Sequence, residues 1–283
     1  MSVRRRAGVP SALALVVVTV VVTVLAVLAG TTAGAGLAAE RARPSPAPSG
    51  TLLDEVRHSG RLRVCTTGDY RPFTYRDPRT GSYSGIDIDM ARDLAGSLGA
   101  KAEFTPTTWG NLLTDLTAGR CDIGMGGISV TLDRAREAVF SEPYRTDGKT
   151  PIARCADKDR YGTLARIDRA GVRVIVNPGG TNETFARAHL HHATIIVHRD
   201  NNTIFDEIVA GRADVMITDA GEALYRARLH PALCAIHPDR PFTFAEKAYL
   251  LPRGDQEFTN YVDEWVHLRT HDGTYRRYAR AWQ

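Results

Sequence analysis

The sequence predicts an α/β protein of two lobes, each lobe a mostly parallel sheet flanked by helices. Three observations predict it. Apolar runs of strand length alternate with amphipathic stretches over most of the 283 residues, the pattern that feeds strands into a parallel sheet through helical crossovers. One helix–strand passage is written twice: Leu113 to Gly127 reads LTDLTAGRCDIGMGG, and Phe205 to Asp219 reads FDEIVAGRADVMITD. Two apolar runs, RLRVCTTGD from Arg61 and GVRVIVNPGG from Gly171, each end in turn residues. The shared Ala-Gly-Arg-x-Asp at matching places points to a duplicated architecture rather than to chance recurrence of a βα unit.

The chain opens with Arg4, Arg5 and Arg6, then an uncharged run from Ser11 to Gly30, then small residues up to Ala39. That is the layout of a secretory leader cleaved after Ala39. The run is also long enough for a retained membrane anchor. Residues 1–39 are therefore expected to be a signal peptide or anchor, and 40–50 a Pro/Ser linker. Membrane contact is expected through this segment alone. Without its three arginines the formal net charge of +4 becomes +1. No basic stripe interleaved with aromatics suggests a nucleic-acid partner.

The first lobe is expected over 51–152 and 245–283, the second over 153–244. RLRVC begins the first lobe as a strand. IDMARDLAGSLGA places Ala91, Leu94, Ala95 and Leu98 on one helical face. AEFTPT and TIIVH are short strands. EKAYLLPRG resumes a strand, and FTNYVDEWVHL and TYRRYARAW end the chain as helices. This tail returns to the first lobe, so the chain crosses between lobes twice and forms a hinge.

In such sheets ligands sit outside the carboxyl ends of the strands. The cleft lining is therefore expected from 67–73, 126–129, 177–183 and 218–219. That places Asp69, Tyr70, Phe73, Ser129, Thr181, Asn182, Glu183 and Asp219 among the candidates. Trp109, in TTWGN, is open to two readings, an aromatic wall or a core residue. Lys149, in DGKTP, is either a positive charge at the mouth or a solvated lysine. The stretch NPGGTNETF is a glycine turn leading into a helix, whose N–H groups and dipole favour an anion. Glu183 adds a carboxylate there, which its plainest reading makes an ordinary first-turn helix residue.

Four cysteines in an exported chain permit disulfides. Cys155 and Cys234 are expected to pair. Cys65 and Cys121, in two apolar runs, are open to pairing or to being buried thiols. His189, His191 and His192 have no carboxylate or Cys set beside them, so no metal is expected.

From Leu52 to the C-terminus the chain resembles the family 3 solute-binding proteins, polar-amino-acid binders that serve bacterial ABC transporters. The resemblance rests first on SVTLDR and on the strand ends above. It implies a periplasmic-binding-protein-like (type II) fold with a two-strand hinge. It also implies that Arg134 grips a ligand carboxylate, Asp219 a ligand amino group, and that Tyr70 packs on the ligand. TTGDYRPFTY, ISVTLDRAR, YRTDGKTPI, VNPGGTNETFARA, HPALCAIHP and FAEKAYLLPR resemble one subgroup more closely, the exported cyclohexadienyl dehydratases. The contexts of Cys155 and Cys234 fit that subgroup; Cys65 and Cys121 depart from it.

The subgroup's reaction converts prephenate to phenylpyruvate and arogenate to phenylalanine. Aromatisation drives loss of water and carbon dioxide, so the protein must hold a small-molecule substrate and protonate the departing hydroxyl. No cofactor is implied. The resemblance assigns the acid to Glu183, with Arg134 and the Thr181 turn as the two anion sites. Burial against Tyr70, Phe73 and Trp109 would have to outweigh the helix dipole and Arg134 to keep that acid protonated. The competing function is a non-catalytic amino-acid-binding protein of a transporter.

Overall fold

The computed structural model describes residues 50–282. The leader expected over 1–39, and the linker up to residue 49, lie outside the described residues. Among the described residues no helix is long and apolar enough to cross a membrane.

Two five-stranded sheets are built on one plan. In the first the order is Lys101–Pro106, Arg61–Thr66, Ile123–Gly124, Leu250–Leu251, Val139–Phe140. Its first three strands run parallel, and Leu250–Leu251 runs antiparallel to both neighbours. In the second the order is Thr194–Val197, Arg173–Val176, Val215–Asp219, Lys149–Arg154, Leu233–Ala235. Again three strands are parallel and the fourth is antiparallel.

The repeated Ala-Gly-Arg-x-Asp has a physical basis in both copies. Gly119 and Gly211 take left-handed φ of 70° and 72°, which ends the preceding helix where a side chain would be strained. Arg120 turns back to Asp115 at 3.0 Å and Arg212 to Glu207 at 2.6 Å. Asp122 accepts the peptide N–H of Arg63 at 2.7 Å, and Asp214 that of Arg173 at 2.8 Å. Each carboxylate also pairs with the guanidinium of the same arginine. The motif is thus a helix stop followed by a lock on the neighbouring strand.

The helix Ile86–Ser97 buries Ala91, Leu94 and Ala95, and Leu98 just beyond its end is buried too, as their spacing predicts. They join Leu62 and Val64 of the first sheet, with Phe258, Val262, Trp265 and Val266 of the helix Gln256–His271. Each such aliphatic side chain contributes about 1.5–3 kcal/mol through burial, so the C-terminal helices are held on the first sheet.

Between the sheets the chain passes through Arg145–Asp147 and returns through Ala245–Lys247. These strands pair antiparallel, Ala245 opposite Asp147 and Lys247 opposite Arg145. Gly148 follows the first crossing. A Cβ there would lie 2.0 Å from the carbonyl oxygen of Thr243, so the two crossings approach this closely because residue 148 has no side chain.

Cys155 and Cys234 form a disulfide within the second sheet. Cys65 and Cys121, open to two readings in the sequence, also form one, within the first. Cys121 lies three residues before Gly124, the parallel neighbour of Cys65, in the turn that leads into that strand, and the two Cα atoms are 5.6 Å apart, inside the span a disulfide bridges.

Candidate functional site

The carboxyl ends of the two sheets face one another across a nearly closed space, with a cavity volume of only about 10 Å³. Tyr70, Trp109, Gly127, Ser129 and Arg134 wall it from one side; Asn177, Gly180, Thr181, Asn182 and Asp219 wall it from the other. The walls meet at backbone level. Gly179 has φ of 75°, and a Cβ on it would lie 2.8 Å from the amide nitrogen of Gly110. The cleft is therefore shut in this structure.

Asp219 ends the strand Val215–Asp219 and is buried. Its Oδ1 accepts from Lys149 Nζ at 2.8 Å. Its Oδ2 accepts from Lys247 Nζ at 2.6 Å and from the Tyr70 hydroxyl at 2.5 Å. Burial alone would raise this carboxyl, but the two ammonium groups outweigh burial and hold it well below the usual carboxylate range. Lys149 spends its other donors on Thr181 Oγ1 at 2.9 Å and Asn182 Oδ1 at 2.5 Å. Lys247 donates to Ser129 Oγ at 2.8 Å and more weakly to the Tyr70 oxygen at 3.4 Å. Burial lowers the Lys149 pKa, Asp219 opposing it. Lys149 thus stands directly behind the wall, neither at the mouth nor in solvent.

Arg134 is placed by the helix Leu132–Ala135, whose cap Thr131 accepts from the Arg134 amide at 3.2 Å. Its Nη1 donates to the Ser129 carbonyl at 2.9 Å. No carboxylate among the described residues forms an ion pair with it. Burial pulls its pKa down, the state of a cation waiting for a partner.

The aromatic candidates form one stack. Tyr70 lies over Phe73 with ring centroids 5.5 Å apart and meets Trp109 edge-on at 5.4 Å. Trp109 is thus an aromatic wall as well as a packing residue. Its indole N–H donates to Asp69 at 3.1 Å. Asp69 and Phe73 sit behind the wall rather than in it, and burial raises the Asp69 carboxyl.

Glu183 corrects an expectation. It does not line the space. Its carboxylate accepts the Gly179 N–H at 2.7 Å and pairs with Arg187 at 2.7 Å. The Gly179 N–H, with Arg187 assisting, pulls its pKa below the ordinary value against a weaker effect of burial. The glycine turn does hold an anion, and the anion is Glu183 itself. In this structure Glu183 is thus held toward its charged form, the opposite of what the acid role asks of it.

A different carboxyl does. Glu222, in the first turn of the helix Ala220–Leu229, is fully buried. Burial pushes its pKa up to about 7, with Arg226 and Thr218 opposing. Its Oε2 lies 2.7 Å from Thr218 Oγ1, and that hydroxyl accepts from Asn182 Nδ2 at 3.1 Å. Asn182 lines the space, so Glu222 stands two hydrogen bonds behind its wall. Asn201 Nδ2 reaches both Glu222, at 3.4 Å, and the carbonyl of Asp69, at 2.9 Å, tying the acid to the opposite side of the cleft.

Lys247 and Glu222 escaped the sequence reading. Lys247 lies in FAEKAYLLPR, where it reads only as part of a strand. Glu222 follows Asp219 by three residues, a helical spacing that could have placed it near the same strand end.

A larger, open depression is lined by Arg160, Arg166, Arg169 and Arg173. It lies at the amino end of the Arg173–Val176 strand, the end opposite Asn177, where sheets of this kind do not bind ligands.

Likeness to known proteins agrees with this geometry. The family model of the bacterial extracellular solute-binding proteins, family 3, matches residues 62–283. The cyclohexadienyl dehydratase of Pseudomonas aeruginosa is 56% identical over 230 residues, covering 81% of this chain and 85% of that protein. The L-cystine-binding protein TcyJ of Escherichia coli is 26% identical over 232 residues, covering 82% and 85%. Among solved structures, an ancestral amino acid-binding protein described as a precursor of cyclohexadienyl dehydratase superposes with a TM-score of 0.76 at 37% identity, covering 82% of this chain and 99% of its own. An ancestral cyclohexadienyl dehydratase superposes at 0.53 with 54% identity, covering 83% and 97%.

Proposed function

Because the chain belongs to the bacterial extracellular solute-binding proteins, family 3, we propose that it is a member of that family turned to catalysis, an exported dehydratase that converts prephenate to phenylpyruvate and arogenate to phenylalanine. The observation that carries the reading is its high identity to a cyclohexadienyl dehydratase over most of both chains. The site supplies what the reaction needs.

In the reaction the bond from ring carbon to carboxylate breaks and its electron pair enters the ring. The ring becomes aromatic, the C–O bond at the far carbon breaks, and carbon dioxide leaves. The departing oxygen takes one proton and leaves as water. The protein must fix the substrate, exclude solvent and deliver that proton.

Arg134 grips the side-chain carboxylate, for which its unpaired guanidinium fork is shaped. Tyr70 and Trp109 face the ring. Glu222 is the proton source in this reading; it does not line the space itself, so its proton would have to be passed on by the Thr218 hydroxyl as the pocket opens to substrate. With a pKa raised to about 7 Glu222 is substantially protonated at neutral pH, the condition a general acid has to meet. Its Oε2 accepts from the Thr218 hydroxyl at 2.7 Å, and that hydroxyl lies between it and Asn182 at the pocket wall. Glu183, Asp69 and Asp219 are held in other bonds and do not compete for the role.

The test is turnover by the purified chain with prephenate, followed by ultraviolet absorption of phenylpyruvate, for wild type, Glu222→Gln and Glu183→Gln. Glu222→Gln is expected to lose about a hundred- to ten-thousand-fold in kcat, while Glu183→Gln stays near wild type. No turnover of prephenate or arogenate by wild type, with tight binding of an amino acid, would instead identify a transport protein. Loss confined to Glu183→Gln would return the acid role to that residue.

A further inference from the structure

We propose that Asp87, which lies outside the pocket, is a positioning residue of the closed site: it ties the glycine loop of the pocket wall to both interlobe crossings, so that shutting the lobes and seating that wall are one event. The inference rests on the dehydratase reading only for the turnover it predicts. Its basis is the geometry of one buried carboxylate.

Asp87 stands in the first turn of the helix Ile86–Ser97 and is fully buried. Its Oδ2 accepts the Gly127 N–H at 2.6 Å and the Tyr144 hydroxyl at 2.6 Å, and its Oδ1 accepts the Tyr249 hydroxyl at 3.4 Å. No cation among the described residues forms an ion pair with it. Burial pushes its pKa up to about 6, and these donors oppose the rise. A buried carboxylate without a counter-ion is costly, and core packing alone would be served by an apolar side chain. What the carboxylate adds is directed bonds to three separate stretches of chain.

Each stretch bears on the site. Gly127 lines the space. Its φ is 74°, and a Cβ there would lie 2.7 Å from the Tyr70 ring, so its backbone is pressed against an aromatic of the same wall. Tyr144 directly precedes the first crossing, Arg145–Asp147, and Tyr249 follows the second, Ala245–Lys247. The two phenol rings stack with centroids 4.7 Å apart. The backbone of the same helix turn completes the hold: the amides of Ile86 and Asp87 donate to the carbonyls of Pro72 and Phe73 at 2.9 and 3.0 Å, and Phe73 backs Tyr70.

Two of the bonds converge on one atom. Tyr144 and Gly127 share Oδ2, so a rotation of the first crossing that moves the Tyr144 hydroxyl either draws on Gly127 or breaks a bond. Bonds to an ionised acceptor are the stronger class, and a buried donor left without its acceptor is costly. The wall loop therefore follows the crossing through a single oxygen.

The experiment compares wild type with Tyr144→Phe, Asp87→Asn and Tyr275→Phe. Phenylalanine at 144 keeps the ring and removes only the crossing's hold on Oδ2. Tyr275 packs on Tyr144 with centroids 5.5 Å apart, but its hydroxyl makes no bond to Asp87, so it is the control. Amide hydrogen exchange at Gly127, in protein without ligand, is read against the core strand Arg61–Thr66, which reports general loosening. Tyr144→Phe and Asp87→Asn are expected to speed exchange at Gly127 by about tenfold or more relative to that strand. Both should lower kcat/KM for prephenate by about tenfold, with Tyr275→Phe near wild type in both measurements. Should Asp87→Asn fail to fold, Tyr144→Phe decides alone. The inference would be overturned by equal acceleration at Gly127 and in the strand, by an unmoved Gly127 or an unchanged kcat/KM in folded Tyr144→Phe, or by Tyr275→Phe matching Tyr144→Phe. No turnover of prephenate by wild type, with the exchange pattern as expected, would sink the dehydratase reading and leave the link through Asp87 standing.

Discussion

Replacing Glu222 by glutamine should change how stability depends on pH, quite apart from any effect on turnover. The carboxyl titrates near 7 in the folded chain, against an ordinary 4.5. Its folded pKa is raised, so the neutral form belongs to the fold. The stabilisation is complete below about 4.5 and is lost as pH rises through about 7, where the native protein must ionise a buried acid. The gap amounts to about 3 kcal/mol, accumulating at about 1.4 kcal/mol per pH unit. Glutamine keeps the shape and has no such proton to lose. Urea unfolding of both proteins across pH 4 to 8 should therefore show the variant gaining on wild type by about 3 kcal/mol and then levelling off. In thermal melts this is roughly 6–12 °C for a chain of this size. Parallel curves for the two proteins would refute the claim that Glu222 is neutral at neutral pH, and with it the choice of proton donor.

Arg134→Lys replaces a fork with a point charge and should raise KM by about tenfold or more with the fold intact; an unchanged KM in steady-state kinetics would remove Arg134 from substrate binding. Gly179→Ala forces a side chain into a left-handed backbone 2.8 Å from the Gly110 amide. It should keep the cleft from shutting and lower kcat/KM while circular dichroism stays native; wild-type kinetics would show that this contact does not govern closure. Cys65→Ala with Cys121→Ala releases a tie spanning 56 residues of sequence and should lower stability by up to about 4 kcal/mol, read as an earlier denaturation midpoint; no shift would mean that the bond does not stabilise the chain.

The architecture was legible because its signals are local. The echoed Ala-Gly-Arg-x-Asp declares two equivalent strands in a fifteen-residue window, and the spacing of Ala91, Leu94, Ala95 and Leu98 declares a buried helical face. The strand ends were legible for the same reason, and they delivered Tyr70, Ser129, Thr181, Asn182 and Asp219 to one neighbourhood, to which the family resemblance added Arg134. The identity of the acid was not. Glu183 and Glu222 are both first-turn helix carboxylates after a strand end, and nothing within a few residues of either separates them. The difference lies in distant chain. Each glutamate has an arginine four residues on, but Glu183 stays partly exposed beside Arg187 and the Gly179 turn, whereas Asn201, brought up from another loop, closes over Glu222. Lys247 was hidden likewise, since its three contacts reach back to residues 70, 129 and 219.

Both covalent bridges stay on their own side. Cys65–Cys121 ties a strand of the lobe that carries Arg134, and Cys155–Cys234 ties a strand of the lobe that carries Asp219. Oxidation outside the cell can therefore harden each jaw without welding the jaws together. Everything that fastens one jaw to the other, apart from the two strands on which they swing, is non-covalent and can be undone at each turn of the catalytic cycle. A chemical crosslink across that gap would trap whatever ligand the molecule held, or bar the next from entering.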